Sequence, residues 1–241
     1  MSQHVLVTGG AGFIGSHLCH RLLGRGDRVT VLDDFNDYYD PARKRENAAG
    51  IRRRPEAADG AFELVEGDIR DAELVDSLFA RGAFDAVVHL AARAGVRPSL
   101  AQPILSEEVN CIGTLRLLEA ARRHGPEVFV FGSSSSVYGI NETVPFAEDD
   151  RVEQPISPYA TTKRTGELLC YNYHHLYGVK ASCLRFFTVY GPAQRPEMAI
   201  HKFTDLLARG EAIPLYGDGS SRRDYTFVTD IIDGVVTALD A

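Results

Sequence analysis

A short apolar run, His4-Val5-Leu6-Val7-Thr8, ends abruptly in Gly9-Gly10-Ala11-Gly12-Phe13-Ile14-Gly15-Ser16-His17. The run is too short for a helix and does not alternate, which suits a strand buried on both faces of a parallel sheet. The glycines then open a helix that closes near Gly24 and Gly26. No other stretch constrains the fold so strongly. Gly9 permits a tight turn, Gly12 lets backbone approach a pyrophosphate, and Gly15 lets helix and strand pack closely. The first N–H groups of the helix face the phosphates. A glycine turn without a ligand is the alternative, and the strand before it and the helix after it weigh against that.

The remainder repeats the same alternation. Strands are expected at 28–32, 62–66, 83–90, 127–131 and 179–187, and helices at 71–80, 103–124 and 158–177, the first of them started by an Asp71 cap. Between residues 34 and 60 lie an Asp/Asn/Tyr loop and a basic, alanine-containing segment. Its Arg52-Arg53-Arg54 run reads as solvated surface. Alternating strands and helices specify a Rossmann-like, doubly wound parallel sheet with helices on both faces. Residues 1–187 read as this nucleotide-binding domain. Composition changes after Phe187, where a helix over 198–209 and a strand containing Pro214 are expected. Residues 188–241 therefore read as a small, incomplete C-terminal substrate lobe that partly returns to the Rossmann core. The chain stops at Ala241 inside an apolar helical pattern (Ile231, Ile232, Val235, Val236, Leu239) with no capping glycine or proline, so a C-terminal portion is expected to be missing or unusually short.

A length of 241 residues allows one domain and an appendage. A formal charge of −7 argues against a nucleic-acid partner, so any anionic ligand needs local basic pockets. Four cysteines (Cys19, Cys111, Cys170, Cys183) show no metal-binding spacing and read as reduced thiols of a cytoplasmic protein. The N-terminus enters its first strand without a charged leader or long apolar span, against secretory and membrane readings.

The second strand ends in Asp33-Asp34, where a carboxylate accepts from ribose hydroxyls. Two acids there repel a 2′-phosphate unless an arginine intervenes, which favours NAD over NADP; Asp34 alone is nearly as well a loop cap. Phe13 and Ile14 in the glycine turn and Asn36 in the next loop join the same expected site. Asp68, after Gly67, is placed to meet the adenine amino group, with Ile69 beside it. Leu90, Ala91 and Ala92 end the fourth strand with small residues where a flat cofactor passes closely. His89 reads as a packed strand-end histidine, lacking an evident carboxylate partner. Asn110 is either a surface amide or a supporting anchor.

Tyr159 and Lys163 lie four apart in Ser157-Pro158-Tyr159-Ala160-Thr161-Thr162-Lys163, on one helical face. A free phenol with a pKa of about 10 is a poor base at neutral pH. A neighbouring ammonium favours the phenolate, making a group able to exchange a proton with a sugar hydroxyl. Taken alone the pair is better read as an ordinary amphipathic helix, because the pattern is short and common; the dinucleotide signature and the serine strand end give it weight.

Together, Thr8–Gly15, Gly67-Asp68, His89–Ala92, Asn110-x-x-Gly113-Thr114, Ser133–Gly139, Tyr159-x-x-x-Lys163 and Arg222-Arg223-Asp224-Tyr225 resemble the extended short-chain dehydrogenase/reductases, the nucleotide-sugar epimerases and dehydratases. The resemblance implies bound NAD. It assigns Tyr159 as acid/base, Lys163 as its tuner and ribose anchor, Ser134 as partner of the reacting hydroxyl, and Asn110 as support. It also implies a homodimer, through 103–124 and 158–177. In the dehydratases an Asp and a Glu follow the triad hydroxyl residue; here Ser135 and Ser136 stand there, which disfavours dehydration. The segments 33–39, 89–97 and 184–199 look most like UDP-glucuronate 4-epimerases. That implies a carboxylate-bearing UDP-sugar epimerised at C4 through a 4-keto intermediate. Arg195 and Thr188 are the expected carboxylate clamp, with Ser135 and Ser136 helping, Arg97 a further anion contact, and Arg223 the diphosphate arginine. UDP-glucose or UDP-N-acetylglucosamine epimerisation, UDP-glucuronate decarboxylation and NAD binding without catalysis remain open alternatives.

Overall fold

Six strands form one parallel sheet, its central strands buried on both faces and its two edge strands only partly buried, in a computed structural model that describes residues 2–141, 143–215, 217–220 and 222–241. The strands are β1 (His4–Thr8), β2 (Arg28–Asp33), β3 (Phe62–Glu66), β4 (Ala86–His89), β5 (Val128–Ser134) and β6 (Ala181–Phe186), in the order β3-β2-β1-β4-β5-β6. The order reverses between β1 and β4. A crevice opens there, beyond the carboxyl ends of the strands, as the doubly wound topology requires.

Side chains of a strand alternate between faces, and β1 divides the core accordingly. Val5 and Val7 join Leu18, Leu22, Val29 and Val235 on one side of the sheet. Leu6 joins Leu78, Val87, Leu117, Phe129 and Phe131 on the other. The first layer is covered by α1 (Phe13–Arg25) and by α9 (Val228–Leu239), whose Val228, Ile232, Val235 and Leu239 are buried. The last helix thus packs on the Rossmann core. The second layer is covered by α3 (Ala72–Gly82), α6 (Gly113–His124) and α7 (Pro158–Tyr177). Helix starts follow the capping rules: Asp71 accepts from the N–H groups of Glu73 and Leu74, and Ser157 from that of Ala160.

Several expectations need correction. The basic segment after β2 forms α2 (Pro41–Arg52), capped by Asp40. The fourth strand is shorter than 83–90, because Ala83 takes a left-handed conformation with φ 44°. An unforeseen helix, α4 (Val96–Ala101), precedes α5 (Pro103–Glu107). The long helix expected over 103–124 is interrupted by a π-turn at Glu108–Ile112, and such turns concentrate at functional positions. Among the described residues no strand forms around Pro214. Instead β7 (Thr188–Tyr190) pairs in parallel with β8 (Tyr225–Phe227), a pairing between residues 37 apart in register, Thr188 to Tyr225 through Tyr190 to Phe227 (three residues each offer no periodicity to read). Between them lies α8 (Ala199–Ala208).

Gly166 brings α7 onto the sheet. A Cβ there would sit 2.2 Å from Cζ of Phe131, a side chain only 1% exposed. Gly166→Ala is therefore expected to destabilise the fold by about 1–3 kcal/mol, read as a lower urea midpoint at unchanged slope.

Candidate active site

The glycine turn makes a cradle that side chains would fill. Gly9 has φ 71°, and a Cβ on it would lie 2.7 Å from the Ala91 nitrogen. On Gly15 a Cβ would lie 2.2 Å from the Gly9 carbonyl oxygen. Close approach of β1, β4 and α1 thus depends on both glycines. The start of α1 has no side-chain cap and no acid in its first turn, so its leading N–H groups remain available to a phosphate.

Asp33 stands at the end of β2, with Oδ2 accepting from the Ala11 nitrogen at 3.2 Å and Oδ1 from the Phe35 nitrogen at 3.0 Å. The sequence reading missed Lys44. This buried lysine reaches back from α2 to Asp33 at 3.3 Å and Asp34 at 3.6 Å. A cation does intervene between the two acids, and it is a lysine. Asp34 also holds Asn36, accepting from its backbone and its amide. The Asp68 carboxylate, expected to meet adenine, is gripped by the Arg70 guanidinium at 2.6 Å. Ile69 is buried next to it.

Tyr159 is half-buried in the crevice wall, and Lys163 is buried one turn further along α7. Lys163 Nζ donates to the Gly132 carbonyl at 2.6 Å and lies 5.9 Å from the centre of the Tyr159 ring. Burial pulls the Lys163 ammonium down to about 8. Burial also pushes the Tyr159 phenol above its ordinary value, opposed by the Arg195 charge and by hydrogen-bond contact with Ser134. This corrects the expectation that Lys163 lowers the phenol. The cation acting on Tyr159 is Arg195, while Lys163 is committed to a backbone carbonyl.

The serine run divides its work. Ser133 donates to Glu167 at 2.6 Å, and that carboxylate pairs with Arg164 and Arg185, tying β5 to α7 and β6. Ser134 caps the next turn and donates to Ser136 at 3.1 Å. Ser134, Ser135 and Ser136 all line the crevice.

Asn110 resolves as a buried anchor, presented by the π-turn. Its Oδ1 accepts from the Arg93 nitrogen at 2.8 Å, and its Nδ2 donates to the Arg93 carbonyl at 3.1 Å and Thr162 Oγ1 at 2.9 Å. Thr162 in turn donates to the Tyr159 carbonyl at 2.8 Å. His89 completes the chain. Thr114 Oγ1 donates to the Asn110 carbonyl at 2.5 Å, so it accepts from His89 Nε2–H at 2.9 Å. His89 Nδ1 then accepts from Thr8 Oγ1 at 2.7 Å, and Thr8 accepts from the Ala91 nitrogen at 3.3 Å. The donors run one way, from the glycine turn to α7. A neutral His89 protonated on Nε2 is the form this chain requires.

These elements enclose a cleft of about 360 Å³. Its wall brings together Gly9, Gly12, Phe13, Ile14, Gly15, Asp33, Asp34, Asn36, Asp68, Ile69, Leu90, Ala91, Ala92, Ser134, Tyr159 and Lys163 with Thr188 and Arg195. Arg97 is exposed on α4 and Arg223 is exposed before β8; neither belongs to that wall. Tyr38, Tyr39, Lys44 and Met198 line it without having been anticipated. Only the clustering of Asp, Asn and Tyr after β2 hinted at the first two.

A switch-point crevice with a glycine cradle, a ribose-type carboxylate and a Tyr–Lys pair defines a dinucleotide site of the short-chain dehydrogenase/reductase class. The chain belongs to the NAD dependent epimerase/dehydratase family, whose model matches residues 5–241. NAD is the cofactor of that family, and the cradle and Asp33 fit it. The chain is 47% identical to UDP-glucuronate 4-epimerase 3 of Arabidopsis thaliana over 240 residues, 98% of this chain and 54% of that protein. It therefore spans about half the length of the curated relatives it matches. The UDP-glucuronic acid 4-epimerase of Bacillus cereus, solved with UDP-glucuronic acid and NAD, superposes with a TM-score of 0.88 at 37% identity, covering 99% of this chain and 73% of that one. DesIV, a dTDP-glucose 4,6-dehydratase of Streptomyces venezuelae solved with NAD and TYD, matches with a TM-score of 0.88 at 36% identity, covering 99% and 72%. No helix among the described residues is long and apolar enough to cross a membrane.

Burial pulls His89 down to about 3 from an ordinary 6.5, assisted by the Lys163 charge. The unfolded chain then binds a proton that the folded chain refuses, so this contribution to stability is complete above pH 6.5 and is lost as pH falls toward 3. His89→Gln should flatten that acid limb in urea titrations. At pH 5, ¹⁵N NMR should show a neutral, Nε2-protonated ring; an imidazolium there contradicts the chain of donors.

Proposed function

We propose that the protein epimerises a UDP-hexuronic acid at C4, interconverting UDP-glucuronate and UDP-galacturonate. One observation carries the substrate class: Arg195, with Thr188, enters the wall of the same cleft as Tyr159. A guanidinium beside hydroxyl groups suits a carboxylate. Serines at 135 and 136 offer no general acid or base at neutral pH, which supports epimerisation over elimination of water. The length shared with the relatives makes their whole activity a reading for this chain and not a transfer.

In this mechanism Tyr159 Oη takes the proton of the C4 hydroxyl and later returns one. Ser134 holds the reacting hydroxyl in line, and Arg195 favours the phenolate that forms. Lys163, anchored on Gly132, keeps the helix turn carrying Tyr159 seated on β5 and would reach a cofactor ribose. Gly9, Gly12, Gly15 and Asp33 would hold NAD, which when bound supplies the reversible hydride acceptor for C4. The oxidised sugar is a β-keto acid, which readily loses carbon dioxide. Holding the carboxylate so that its C–C bond lies out of alignment with the ketone gives Arg195 and Thr188 a second task.

Incubation with UDP-glucuronate and NAD should yield UDP-galacturonate by NMR; UDP-xylose or a 4-keto-pentose overturns the reading. Tyr159→Phe should lower turnover by about 10²–10⁴-fold with NAD binding retained.

We further infer a homodimer through α5, α6 and α7. Ile104, Leu168, Tyr171 and Leu176 lie on the outer faces of α5 and α7 with more than half of their surface exposed (74%, 51%, 69% and 56%), an apolar surface of the kind that marks an interface. Light scattering should give twice the chain mass, and Leu168→Asp with Tyr171→Asp should give the monomer.

A further inference from the structure

Arg195 is held in an unusual way for a cation in a pocket wall. Among the described residues its buried Nη1 has no hydrogen-bond partner. The carboxylate beside it is Glu197, two residues on, at 3.0 Å but out of hydrogen-bond alignment. Nη2 rests on the Met198 sulfur at 3.5 Å, a weak acceptor. The guanidinium also stacks over Tyr38, 5.5 Å from its ring centre, with Arg93 5.4 Å from the same ring.

The backbone here is fixed. Gln194, only 2% exposed, donates to the Val189 carbonyl at 2.8 Å and accepts from the His201 nitrogen at 3.1 Å. The Met198 nitrogen closes the turn on the Arg195 carbonyl at 3.1 Å. Movement is left to the side chains. The Glu197 side chain is 42% exposed against 20% for Arg195, so the carboxylate can swing into water while the guanidinium stays in the wall.

We propose that Glu197 is a built-in counter-ion that occupies Arg195 until the carboxylate of an acidic sugar displaces it, which makes Glu197 a specificity-determining residue. The proposal rests on the UDP-hexuronate reading of the cleft. An acidic sugar exchanges one carboxylate for another and gives Nη1 a better aligned partner than Glu197 does. A neutral sugar has no carboxylate to offer Arg195 and leaves the Arg195–Glu197 pair in place. The counter-ion thus keeps a pocket cation compensated between turnovers, and acidic ligands bind less tightly than they would to a bare guanidinium. A half-exposed pair is weak, so the exchange is readily reversible.

The test is calorimetric titration of the 241-residue chain with NAD present, using UDP-glucuronate and UDP-glucose on the wild type, Glu197→Gln, Arg195→Met and the double variant. Glu197→Gln should bind UDP-glucuronate about two- to fivefold more tightly and UDP-glucose unchanged. The gain should vanish when Arg195 is already methionine. Weaker UDP-glucuronate binding in Glu197→Gln would make Glu197 a brace that aims Arg195, and equal shifts for both sugars would make it a general effect on the cleft; either overturns the proposal. If Arg195→Met leaves UDP-glucuronate affinity untouched, the acidic-substrate reading itself fails, whatever Glu197 does.

Discussion

Everything in the cleft hangs on one buried amide. Asn110 sits where a π-turn lets a helix point a side chain inward, and all three of its used hydrogen-bonding directions are satisfied by Arg93 and Thr162. A buried polar group left unpartnered is costly, so such a node tolerates one arrangement and excludes neighbouring ones. Through Thr162 it sets the first turn of α7, and through Thr114, His89 and Thr8 it reaches the glycine turn. The parts that would hold a dinucleotide and the part that would move a proton are therefore members of one rigid unit.

In a chain of net charge −7 the cleft wall is balanced, with Asp33, Asp34 and Asp68 set against cations. Three cations enter the wall, each compensated differently. Lys44 is shared by two carboxylates, Arg195 leans on a rim carboxylate, and among the described residues Lys163 meets a carbonyl and aromatic faces. Their behaviour follows: an ammonium without a counter-ion in a buried place loses affinity for its proton, and Lys163 falls to about 8. Tyr159 is consequently governed by burial and by Arg195 more than by the lysine one turn away. The arginine proposed to grip substrate is thus also the charge that opposes the upward shift of the Tyr159 phenol.

Legibility followed the range of the interactions. The glycines at 9, 12 and 15, the Asp71 cap and the span of α7 could be read because each depends on residues a few places apart. The π-turn could not, since its extra residue matters only once Asn110 meets Arg93 and Thr162 from elsewhere. Neither could β7 and β8, whose three residues are strands only because they meet. Lys44 looked like one cation in a basic segment until that segment formed α2 and folded back over Asp33.

By itself the sequence determined the doubly wound sheet, the dinucleotide turn and the face that carries Tyr159 and Lys163, because local periodicity and backbone freedom dictate those. Only the tertiary structure decided which charge acts on which group: Arg195 on Tyr159, Lys44 on Asp33, Lys163 on a carbonyl, with Arg97 and Arg223 away from the cleft wall. The reason is physical. Conformational preferences act over a few residues, whereas desolvation and Coulomb energy depend on distances in space that no spacing along the chain reveals.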